Sequence, residues 1–88
     1  MIDAQTIKLE ARLAALEYTV AQAHALIQWQ LKITPEQAEQ AYGTNRATLS
    51  THSVPGLSPE LSDHYAAELH DAVVRLQTMT KAFRAAVR

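Results

Sequence analysis

The sequence predicts an all-α protein: two long helices joined by a short helix and a loop, forming a helical bundle completed by dimerisation. Three observations carry that prediction. Two long stretches, one toward each end of the chain, space their apolar residues by alternating steps of four and three, which keeps one stripe on one side of a helix and matches a heptad seam. Neither stretch contains a glycine, and the only proline in either stands at a helix start. Two pairs, Thr34-Pro35 and Ser58-Pro59, stand where helices begin. With only 2 glycines and 3 prolines among 88 residues, the chain is also too poor in turn formers for an all-β fold.

The whole chain, 1–88, reads as a single helical domain without a repeat or linker. Its first helix is expected over about 3–32, from Asp3 as N-cap to Lys32, whose charge suits a helix C-terminus. Its stripe is Ile2, Leu9, Leu13, Leu16, Val20, Ala23 and Ile27, flanked by Glu10, Arg12 and Glu17. Between Ala11 and Ile27 the only charges are Arg12 and Glu17, and the positions away from the stripe carry Ala11, Ala14, Ala15, Tyr18, Ala21 and Ala25. A solvated helix face normally carries more charge than this. Contact on two sides is therefore expected: with the last helix of its own chain along Leu9 to Ile27, and with a second copy across the alanines.

A second helix is expected over about 35–42. Thr34-Pro35-Glu36-Gln37 has the form of a capping box with Pro in the first turn, and Gly43 is a natural stop. Residues 43–57, rich in Thr, Ser and Asn and ending in Val54-Pro55-Gly56, read as a loop with room for a helical turn or two around Arg46 to Ser50. The third helix is expected over about 59–87, capped by Ser58, with the stripe Tyr65, Leu69, Ala72, Leu76, Met79, Phe83 and Ala86. Its first half carries Glu60, Asp63, Glu68 and Asp71, and its second half Arg75, Lys81, Arg84 and Arg88. The macrodipole accounts for part of that polarity. An antiparallel pair of these helices would set acidic half against basic half.

Length then argues for association. A helix of roughly 28 residues measures about 42 Å. A compact chain of this size has a radius of gyration of about 12 Å and a diameter near 30 Å. The monomer must therefore be elongated, with the two long helices side by side and the short one at an end. Two such layers face to face make a four-helix bundle, and a twofold homodimer is the simplest way to obtain one. The self-association seam expected on these grounds comprises Leu9, Leu13, Leu16, Val20 and Ile27 with Leu69, Leu76, Met79 and Phe83.

The search for chemistry returns little. The chain has no cysteine, which removes disulfides, thiolate metal sites and cysteine nucleophiles and fits a reducing, cytoplasmic compartment. The N-terminus lacks the pattern of a signal peptide, and the longest uncharged run, from Tyr18 to Leu31, is too short and too rich in Gln to span a bilayer. A formal net charge of −1 gives no general attraction to nucleic acid or to an anionic membrane. His64, Glu68 and Asp71, with Glu60 one turn earlier, share a helix face, but carboxylates on a solvated face explain them, and no metal or cofactor is expected. His24 reads as a residue at the edge of the seam. Neither a Gly-x-Ser-x-Gly elbow nor a phosphate-cradling glycine loop is present, so no catalytic residue is assigned.

Two residues remain as possible contact points for a partner. Trp29 lies outside the seam, and Trp is enriched at binding hot spots, although packing against the second helix or the following loop would also account for it. Arg46 falls within Glu36 to His52, EQAEQAYGTNRATLSTH, a stretch that resembles the helix-turn-helix family of DNA-binding segments. The resemblance implies Gly43 as the turn glycine, and Arg46, Thr48 and Ser50 on a recognition helix reaching into the major groove. Glu39 and Thr44 depart from the family's pattern of a small residue four before the glycine and an apolar one after it. The expectation is a small non-enzymatic protein acting through protein–protein contacts, as adaptor, regulator or structural component. The alternative is a dimeric DNA-binding regulator using segment 36–52.

Overall fold

The computed structural model describes residues 3–87; Ile2 and Arg88, each assigned a place above, lie outside them. Three helices make up the described chain, in the order α1 (Ala4–Gln30), α2 (Pro35–Leu49) and α3 (Pro59–Ala86), and no strand occurs among the described residues.

Each helix begins on a side-chain cap that the sequence announces. Asp3 Oδ1 accepts from the Thr6 backbone N–H at 2.8 Å. That bond from the Thr6 backbone is the main reason the Asp3 carboxyl titrates below its ordinary value. Thr34 and Gln37 form the full reciprocal box, with Gln37 N–H donating to Thr34 Oγ1 at 3.1 Å and Thr34 N–H to Gln37 Oε1 at 2.9 Å. Ser58 Oγ accepts from the Leu61 N–H at 3.2 Å, ahead of Pro59 in the first turn. The first helix ends in a six-to-one bond from Ile33 N–H to the Gln28 carbonyl at 2.9 Å and a tighter turn closed by Lys32 N–H donating to the Trp29 carbonyl at 3.1 Å. This closure holds Lys32 at φ 57°, in the left-handed region that glycine favours.

The expected stop at Gly43 is not there. The middle helix continues through it to Leu49, so the short helix of 35–42 and the loop of 43–57 become a 15-residue helix and a shorter connector. Gly43 adopts helical backbone rather than a positive φ. A mid-helix glycine costs only about 0.5–1 kcal/mol relative to alanine. Packing on either side of it outweighs that cost: Tyr42 is buried one residue before, and Leu49 is half-buried six residues after. In the connector, Pro55-Gly56 turns the chain with Gly56 at φ 87°.

The long helices run parallel. Glu17 meets Arg75, and further along Arg84 reaches the Ile33 carbonyl just past the end of α1, so both contacts advance in the same direction. The middle helix returns antiparallel to both: Glu39 pairs with Lys81, and Arg46 with Gln77. It therefore lies alongside α3 and not at the end of the pair, the position expected from helix length. The result is a slab with principal extents of 44 × 32 × 16 Å and a radius of gyration of 15.5 Å, against about 12 Å for a compact chain of this length.

The core is small. Among the described residues the buried apolar side chains are Ala21, Ala25, Ala38 and Tyr42, and Tyr42 is the only large one.

Candidate interaction surface

The first helix carries two stripes, and the chain itself covers the one expected to meet a second copy. Ala21 and Ala25 are fully buried, Gln28 is buried and Glu17 half-buried. These belong to the alanine side, which packs against α3. Leu9, Leu13, Leu16, Val20 and Ile27 sit one residue back along the chain, about 100° round the helix. All five are about half exposed, from 49% at Leu9 to 62% at Leu16. The expected assignment, leucines to α3 and alanines to a second copy, is therefore reversed on the side that the chain itself fills.

The reversal follows from size. On α3 the bulky seam residues Leu69, Leu76, Met79 and Phe83 are all half-buried within the chain. Alanines let a helix approach its neighbour closely, whereas a stripe of leucines would hold the two wider apart. Phe83 meets Tyr18 edge to face with ring centroids 4.8 Å apart. The α3 half of the expected seam is thus largely occupied inside the monomer, and the exposed half is on α1.

Beside the leucine stripe the middle helix stands off from α1 and leaves an open groove of about 400 Å³, floored by Val73 and Leu76 of α3 and walled by Val20 and Leu49. Its inner end is closed by a polar chain linking all three helices. Gln28 Nε2 donates to Tyr42 Oη at 2.8 Å and lies 3.3 Å from His24 Nε2. Gln77 Nε2 donates to the Tyr42 carbonyl at 3.1 Å, and Arg46 Nη1 donates to Gln77 Oε1. Each member thereby has at least one partner, with Gln28, Tyr42 and Gln77 themselves buried, the condition under which buried polar groups can be kept. Sequence reasoning missed this chain. The available signal was Gln28 itself, a polar residue interrupting the alanine stripe at a position in phase with Ala21 and Ala25.

Beside the stripe, Glu17 carries the one ion pair between the long helices among the described residues. Its Oε2 is buried and lies 3.1 Å from Arg75 Nε, at angles that do not make a hydrogen bond. The Lys81–Glu39 pair is about half exposed on both sides and contributes little. His52 Nδ1 and Tyr65 Oη, 2.9 Å apart, tie the connector to α3.

The remaining residues singled out in the sequence scatter. Trp29 is 45% exposed, nearly opposite the leucine stripe on α1. Arg46 is half-buried and spent on Gln77. The stretch Glu36 to His52 has no turn at Gly43, so the resemblance to a helix-turn-helix ends at the level of sequence. His64, Glu68 and Asp71 are exposed, and among the described residues no three His, Asp or Glu side chains are grouped to hold a metal ion. No described helix is long and apolar enough to cross a membrane. Comparison with protein-family models, with curated proteins and with solved structures finds no match for this chain.

Proposed function

We propose that this is a non-enzymatic helical protein that works through protein–protein contacts, in the first place with a second copy of itself. The observation that carries the reading is the leucine stripe of α1, more than four turns of half-exposed Leu, Val and Ile beside an apolar groove. Isolated surface leucines are ordinary, but a contiguous apolar strip of this kind marks an interaction site. The total accessible surface supports it: 6932 Å², where a globular monomer of 9.7 kDa exposes about 5,100 Å². The excess, about 1,800 Å² per chain, is more than twice the ~800 Å² per partner that a standard stable interface buries.

A non-enzymatic role is supported by the make-up of the groove, whose polar lining is amide, hydroxyl and a single imidazole already beside Gln28. The lack of cysteine suits a cytoplasmic setting. The DNA-binding alternative is weaker, because it asked for a turn at Gly43 and a free Arg46, and α2 offers neither.

Sedimentation equilibrium tests the reading. The wild-type chain is expected to be a dimer at micromolar concentration, and Leu16→Asp to sediment as a monomer, since it would bury an unpaired carboxylate on the stripe. A wild-type chain that is folded and monomeric at that concentration removes the proposal.

A further inference from the structure

The geometry points to a particular mode of pairing: two copies of α1 lie parallel and in register along the leucine stripe, and the partner's Arg12 completes the ion cluster at Glu17. This rests on the self-association proposed above and adds its direction and its charged contacts.

The stripe reads as a heptad seam with Leu13, Val20 and Ile27 at the a positions and Leu9, Leu16 and Ala23 at d. Two β-branched residues among the three at a, with leucine at two of the three d positions, is the pattern that favours a parallel two-stranded pairing. The flanking positions agree. In a parallel pair each g residue faces the e residue five positions on in the partner. That sets Arg12 against Glu17 of the other copy, Thr19 against His24, and Leu26 against Leu31. None of these pairs a charge with its like, and the last is apolar on both sides, with Leu26 48% and Leu31 68% exposed in the monomer. An antiparallel pair sets e against e and g against g instead, and so brings the acidic e positions, Glu10 and Glu17, toward each other.

The Glu17 carboxylate is suited to a second cation. One oxygen is buried against Arg75 without hydrogen-bond geometry, and the side chain keeps 21% of its surface exposed. A guanidinium arriving from the partner would donate to the other, accessible oxygen of the same carboxylate.

One feature of the chain pulls the other way. The acidic half of α3 and its basic half lie at opposite ends of the slab, so an antiparallel pair would join unlike ends. Those charges are on α3, a full helix away from a seam on α1. At physiological ionic strength screening acts over about 8 Å, which leaves contacts at the seam in control.

The chain has no cysteine, so single-cysteine variants read the direction without interference. Thr6 and Ile27 both occupy a positions, three heptads and about 32 Å apart. With the dimer established by sedimentation, Thr6→Cys and Ile27→Cys are each oxidised alone and as a mixture of the two. Parallel pairing gives a disulfide dimer in each variant alone and no mixed disulfide. A disulfide that forms only in the mixture means antiparallel pairing, and overturns the inference while leaving self-association intact. A dimer that cross-links in neither experiment is not parallel and in register along the stripe, and overturns the inference as well. A monomer in sedimentation removes both proposals.

Discussion

The two sides of α1 make opposite use of apolar residues. On one, Ala21 and Ala25 are completely buried against α3. On the other, Leu9, Leu13, Leu16, Val20 and Ile27 hold far more apolar surface and leave about half of it in water. Fully burying a leucine or isoleucine is worth about 1.5–3 kcal/mol, so covering the exposed half contributes on the order of 1 kcal/mol for each. The alanines determine how closely the long helices approach, but they supply little of the driving force. The monomer therefore keeps its best-defined geometry on the side with the smaller energy, and the larger energy is available to a partner.

The same substitution on the two sides should separate these roles. Ala25→Asp places an unpaired charge at a fully buried position of α1, at a cost of about 3–5 kcal/mol. Helical signal in circular dichroism should fall at every protein concentration. Leu16→Asp should act through association alone: its melting temperature drops and, unlike that of the wild type, no longer rises with protein concentration. If both variants behave alike, the two sides do not differ in the way described.

A smaller effect is expected at the polar chain that closes the groove. Tyr42→Phe removes the acceptor of the Gln28 amide and leaves a buried donor unmatched, for a loss of about 1–3 kcal/mol in urea unfolding. An unchanged midpoint would mean that water reaches Gln28, and that the inner end of the groove is open.

The smallest effect has the opposite sign. A Cβ at Gly43 would meet nothing closer than Arg46 Nη2 at 3.9 Å, an ordinary contact. Gly43→Ala should therefore stabilise the chain, by about 0.5–1 kcal/mol. Were Gly43 a turn residue with positive φ, the same change would destabilise. Thermal melting of this variant is thus a direct check on the continuous α2 and, through it, on the loss of the helix-turn-helix resemblance.

Much of the helical framework was legible in the chain. Asp3, Thr34 and Ser58 act as caps where local chemistry placed them, because a cap depends on three or four neighbouring residues and nothing distant. The extent of α2 was not legible. Gly43 and the Thr-rich residues after it are weak helix formers, and contacts made by Tyr42 and Leu49 with a helix 20 to 35 residues away override that preference. The polar chain of Gln28, Tyr42, Arg46 and Gln77 was hidden for the same reason, since its members come from three helices.

By itself the sequence determined that the chain is helical, that the long helices are too long for a compact globule, and that α1 carries two apolar stripes. Periodicity registers both stripes and does not rank them, because rotating a helix by about 100° leaves its local energy unchanged. Tertiary structure decided which stripe faces inward. Alanines let α1 approach α3 at close range where leucines would hold it off, and the alanines are buried while the leucines stay outside.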